Sequence, residues 1–163
     1  MKIYLALAIG GGLLGGLLAA ADLAAAQSAS APALLTAEQV IAARQASLDM
    51  SVMTMAEMKI AVRDGTDIKK ESYPAGVLAK WARVLPSLFP AGTGPGATAM
   101  QTHALPAIWT DRAGFEKAAA NYASAADKLS EFARADDAAG FAQQLGVVSK
   151  ACDACHSDYK LKY

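Results

Sequence analysis

The chain has 163 residues, room for one domain with a substantial core but not comfortably for two. Its 15 basic and 15 acidic side chains cancel, which removes the charge basis for binding nucleic acid or an anionic membrane surface. Apolar residues make up 54%, with alanine prominent and β-branched residues few, a balance that favours helix over sheet.

Residues 1–26 read as a secretory leader. One early lysine, Lys2, precedes an apolar run from Ile3 to about Ala21, and small residues follow. Ala24 and Ala26 supply an A-x-A cleavage pattern with Gln27 as the first mature residue; sites beginning at Leu18 or Ala19 are alternatives. The run is almost long enough for a membrane anchor, but its five glycines and small-residue exit favour cleavage. Export places the protein outside the cytosol, where paired cysteines oxidise unless chemically occupied. Residues 27–35, with Pro32 and no periodicity, form a tether, and the domain is expected over 36–163.

A capping-box pattern, Thr36-Ala-Glu-Gln39, opens the first predicted helix. Ile41, Leu48, Val52, Met55 and Val62 give it an apolar stripe, and Asp64-Gly65 is its stop. Pro74 suits the first turn of a second helix with the stripe Val77, Trp81, Val84 and Leu88, which Pro86 tightens or ends. Residues 90–107 are rich in proline and glycine and read as a long loop, a type that often wraps a ligand. A third helix is expected from Asp111 to Arg134, built on Phe115, Ala118, Tyr122, Ala125, Leu129 and Phe132. Asp136 or Asp137 caps a fourth, whose stripe is Phe141, Leu145, Val148, Cys152, Cys155 and Tyr159. No segment alternates with period two. Four stripes joined by two short links and one long one predict an all-α, antiparallel four-helix bundle.

The chemistry concentrates in the last helix. Cys152, Cys155, His156 and Tyr159 fall at i, i+3, i+4 and i+7 and so share a face. C-x-x-C-H is the attachment signature of c-type haem: two thiols one turn apart reach two vinyl groups, and the adjacent imidazole supplies an axial ligand from the same side. A disulfide between these cysteines would close a very short loop and constrain the unfolded chain little. A thioredoxin-like pair normally opens a helix after a strand, and none is predicted. Zinc needs about four ligands, and the mature chain adds only His103 and scattered carboxylates. The seven residues after His156 offer no sixth ligand able to fold back over the iron, so any such ligand must come from upstream.

With "CDACHSDYK" at the end, "AIWTDRAGF" opening the third helix, "LFPAGTG" after the second and "AARQASL" in the first, the mature chain resembles the cytochrome c′ family, the class II c-type cytochromes. The resemblance implies a haem-bearing four-helix bundle, a periplasmic location and often a homodimer through the first two helices. It makes Cys152 and Cys155 the thioether residues and His156 the proximal ligand, and sets Arg44 and Gln45 against the haem propionates. It also places Leu48 at the distal position. Lys160 stands where the family carries a basic residue, commonly arginine, and lacks the planar fork. Aligning from the Asp64-Gly65 end instead would move the distal slot to Asp49, beside Met50. Phe89 and Trp109 are expected to serve packing, and His103 to face solvent.

Three functions follow as expectations. The first is a non-enzymatic haem protein with five-coordinate iron under Leu48, acting in electron transfer, in binding small gases such as nitric oxide or carbon monoxide, or in both. The second is a six-coordinate electron carrier ligated by Met50 or a neighbour among Met53, Met55 and Met58. The third is an exported thiol–disulfide oxidoreductase using Cys152 and Cys155.

Overall fold

The computed structural model describes residues 34–162; the expected leader and most of the tether lie outside them. Helix α1 spans Ala37–Asp64. Its N-terminus is the predicted reciprocal cap: the Gln39 backbone N–H donates to Thr36 Oγ1 at 3.2 Å, and the Thr36 N–H donates to Gln39 Oε1 at 2.9 Å. Gly65, at φ 64°, adopts the left-handed conformation that closes the helix, its N–H turned back on the Ala61 and Val62 carbonyls.

A 3-10 turn, Ile68–Glu71, leads into α2, Ser72–Val84, which runs on as a second 3-10 turn over Leu85–Leu88. Pro86 sits in that second turn, where its missing N–H costs least. The expected loop gives way at Ala107 to a short helix, Ala107–Thr110, α3, which precedes the expected third helix. Helix α4 covers Arg112–Arg134, with Asp111 outside it as the cap that accepts from Gly114 N at 3.1 Å. Helix α5 covers Ala138–Tyr159, and of the two candidate caps Asp137 is the one used, accepting from Gly140 N at 2.9 Å. Among the described residues the sole β-type pairing is one antiparallel bridge, Ala104 with Lys160. No helix among them is long and apolar enough to cross a membrane.

Helix α4 is the spine. It packs extensively on α2 and on α5, while α1 leans on α2 and α5 through smaller patches. Met58, Leu78, Phe115, Leu129, Phe141 and Val148 fill the interior. The expected stripe of α2 is corrected: Val77 and Val84 are exposed, and Trp81 and Leu88 only half-buried. Ala75, Leu78, Ala79, Ala82 and Leu85 face inward instead. Small side chains let α2 approach α4 closely, so alanine wins the interior positions that a hydrophobicity reading assigns to valine. On α1, Val52 is likewise exposed rather than part of the buried stripe.

The end of α5 is latched to the start of α4. The Tyr159 hydroxyl donates to Asp111 Oδ2 at 2.8 Å, and the same carboxylate caps α4 through its other oxygen. Gly114 lies directly beneath this pair, where a Cβ would collide with both Asp111 Oδ2 and the Tyr159 hydroxyl. Gly114→Ala is expected to cost about 1–3 kcal/mol by prising the latch open. Gly146→Ala, in α5 with nothing near its would-be Cβ, should instead add about 0.5–1 kcal/mol. Urea unfolding of the two variants beside the parent gives both signs.

Candidate functional site

Two adjoining cavities, of about 370 and 460 Å³, open between α1 and α5. Both are walled by Leu48 and Asp49 of α1, by Leu85, and by Cys155, His156 and Lys160. The first extends toward the loop, to Gln45, Phe89 and Thr102. The second extends along the bundle interior, to Met55, Trp81, Tyr122 and Cys152. The helical spacing of the cysteine motif thus places both thiols and the imidazole on one cleft wall, as expected, with Leu48 on the other.

Cys152 and Cys155 are half-buried free thiols. Burial, then the neighbouring Cys152 and Asp158, push the Cys155 thiol up to about 11. Burial also raises Cys152, with Asp153 adding to it. Exchange-active cysteines are shifted the opposite way, toward thiolate. Burial, followed by the charge of Lys160, lowers the His156 imidazole below its ordinary value and favours the neutral form that can ligate a metal. Two addition-competent thiols and a neutral imidazole on one face, beside an apolar space, are the donor set that c-type haem requires, and the residues fit that group.

Arg44 is the best-buried charge of the site, at 1% exposure. Its Nη1 donates to Thr93 Oγ1 at 3.0 Å and, at 3.5 Å, to the Leu88 carbonyl. Its Nη2 donates to the Thr93 carbonyl at 2.7 Å and to Thr102 Oγ1 at 2.9 Å. The guanidinium also lies over the Phe89 ring, 4.7 Å from its centroid, with Trp109 at 5.8 Å. Desolvation lowers its affinity for the proton, yet the fork is satisfied by neutral oxygens and aromatic faces. Gln45, one residue on, donates to the Gln101 carbonyl at 2.8 Å. Both side chains expected at propionates therefore also tie α1 to the loop.

Phe89 and Trp109 pack as predicted, and the Trp109 indole N–H donates to the Pro90 carbonyl at 3.0 Å. His103 is exposed but lines the first cavity, and its carbonyl accepts from Leu161 N at 2.7 Å. Leu105 N donates to the Tyr159 carbonyl at 3.0 Å, completing a clasp between loop and α5. Of the methionine cluster only Met55 reaches a cavity wall; Met50 and Met53 are 67% and 72% exposed, and Met58 belongs to the core. Sequence reading passed over Thr93, Thr102 and the Ala104–Lys160 bridge. Nothing in their local composition marks them, because their partners lie dozens of residues away.

Replacing Arg44 by alanine strands two threonines and two carbonyls, and about 3 kcal/mol of stability should be lost. Arg44→Lys should recover only a small part, since an ammonium cannot reproduce the fork. Chemical denaturation of both variants measures this.

The Cytochrome C′ family matches residues 39–160. The cytochrome c′ of Rubrivivax gelatinosus is 41% identical over 61 residues, covering 37% of this chain and 47% of that protein. The chain thus spans about half the length of the curated relatives it matches. Among solved structures, a cytochrome c′ with ligand-controlled dimer dissociation gives a TM-score of 0.75 at 26% identity, over 80% of this chain and 100% of that one. A variant cytochrome c′ from Alcaligenes xylosoxidans, ferrous with bound nitric oxide, gives 0.71 at 26% identity and the same coverage.

Proposed function

The chain belongs to the cytochrome c′ family, whose cofactor is covalent haem c, and on that premise we propose a periplasmic protein with five-coordinate iron beneath Leu48. It serves electron transfer, binding of nitric oxide or carbon monoxide, or both, and converts no substrate. The observation that carries this reading is the facing pair across the cleft: His156 on α5 and an aliphatic Leu48 on α1, both lining the two cavities.

When bound, the haem supplies a redox-active iron with a site for a diatomic ligand. The chain's own residues do the rest. Cys152 and Cys155 would each add S–H across a vinyl group, sulfur and hydrogen going to adjacent carbons, and so fix the group to α5. His156 would supply the imidazole that holds its iron. Leu48, on the facing wall, would cover the open space with a group that neither ligates nor donates a hydrogen bond, which suits small uncharged ligands and disfavours those needing polar support. Arg44 and Gln45, beside the loop end of the cleft, are the residues toward which the carboxylates of the group would turn. Met50 and Met53 are exposed and line neither cavity, which argues against them as a sixth ligand; Met55, on the wall of the second cavity, is the methionine of the cluster placed to serve the six-coordinate alternative. The raised thiols argue against the exchange enzyme.

Periplasmic residence rests on the leader-like first 26 residues. A homodimer is supported by the exposed apolar side chains Met53 and Ile60 of α1 and Tyr73 and Val77 of α2, together with the dimeric behaviour of the relative described above. Met53→Glu is expected to halve the mass seen by sedimentation while leaving the haem spectrum intact.

The optical spectra of purified ferric and ferrous protein, with and without carbon monoxide, test the central claim. A high-spin ferric spectrum and ready carbon monoxide binding are expected; a low-spin spectrum with a methionine–iron band sinks it. Leu48→Ala should raise carbon monoxide affinity about tenfold by relieving roughly 1.4 kcal/mol of crowding. Leu48→Met should turn the resting iron low-spin.

A further inference from the structure

We propose that Met50 and Met53 are a site of oxidative modification, and that their conversion to sulfoxides releases the homodimer. The assignment rests on the homodimer reading above. Helix α1 carries four methionines within nine residues, and the fold sorts them into two pairs. Met55 and Met58 are 8% and 0% exposed, whereas Met50 and Met53 are 67% and 72% exposed. Met100 stands apart from both pairs, half-buried in the loop.

The exposed pair belongs to a stripe. With Glu57 and Ile60 it recurs at three- and four-residue steps, so all four side chains share the outer face of α1. Tyr73, Val77, Lys80 and Val84 make the same kind of stripe on the outer face of α2. Each stripe is three apolar side chains and one charge, acidic on α1 and basic on α2. A second copy related by a two-fold axis can lay its α2 stripe on this α1 stripe, and reciprocally, so that each glutamate meets a lysine. The thioethers supply two of the three apolar groups on the α1 side. A thioether is flexible, polarisable and apolar, and packs well on such a surface. A sulfoxide is polar and does not.

The oxidant is a two-electron oxygen donor such as hydrogen peroxide. A sulfur lone pair attacks one peroxide oxygen, the O–O bond breaks and an S–O bond forms. Sulfur gives up two electrons, and the departing hydroxide takes the proton of the transferred hydroxyl and leaves as water. The core pair is closed to this attack by its burial. Dimerisation covers the exposed pair, so oxidation proceeds through the free protomer and runs faster in dilute protein.

Hydrogen peroxide treatment of the holoprotein tests this, with sulfoxides assigned by peptide mass mapping and the dimer dissociation constant measured by sedimentation. Met50 and Met53 are expected to gain oxygen about tenfold faster than Met55 and Met58. The dissociation constant should then rise about tenfold to a hundredfold. The double variant Met50→Leu, Met53→Leu should dimerise and stay dimeric through the same treatment, which separates this effect from damage begun at the iron. Met50→Gln with Met53→Gln should weaken the dimer without any oxidant and leave the haem spectrum unchanged. Equal oxidation of the two pairs, no oxidation of the exposed pair, or an undiminished dimer carrying both sulfoxides overturns the role of Met50 and Met53 alone. A parent that is monomeric before treatment overturns the homodimer reading and this proposal together.

Discussion

The structure depends on the burial of one guanidinium. Arg44 leaves water without a carboxylate to meet it, a situation that costs several kcal/mol unless every exposed N–H finds an acceptor. The acceptors come from a segment with almost no regular structure of its own: the Leu88 carbonyl, both oxygens of Thr93, and the Thr102 hydroxyl. A proline- and glycine-rich stretch that could wander is held because α1 needs its oxygens. Phe89 and Trp109 close over the guanidinium and are themselves bridged through Pro90. Arg112 repeats the device outside the core, donating to the Pro86 and Phe89 carbonyls at 2.9 and 3.0 Å. Two arginines thus turn a loop into a wall.

That arrangement explains an unequal bundle. Helices α2, α4 and α5 interlock through small residues and aromatic rings, with Phe115 meeting both Phe89 and Tyr159 edge-on at 5.0 and 5.4 Å. Helix α1 touches its neighbours less, and the cavities lie along the side where it faces α5. Stability and site are divided between different helix pairs, so the binding cleft does not have to be cut into the tightest part of the core.

The parts legible in the sequence were those governed by local rules. The capping box at Thr36, the stop at Gly65 and the cap at Asp137, one of two candidates, are each decided within four residues, and they fall where the chain pattern puts them. The cysteine–histidine face of α5 follows from helical geometry alone. The α2 stripe was misread because valine outranks alanine in hydrophobicity but not in the tightness of packing it permits; Ser130 of α4, itself buried, is the residue that comes nearest Gly76. Arg44 is singled out in the sequence through the family resemblance alone, and only contacts 44 to 58 residues distant reveal that its guanidinium is interior. Long-range pairing of that kind leaves no periodic trace.

The clasp between loop and α5 has a further consequence. Lys160 pairs with Ala104, and two residues earlier Thr102 receives the Arg44 fork. Three residues of extended chain, roughly 10 Å, therefore connect the helix that carries the imidazole to the helix that carries Leu48. This short strap acts as a fixed spacer. It sets how far apart the two jaws stand at the loop end, so the width of the cleft there becomes a property of chain length rather than of whatever the jaws enclose.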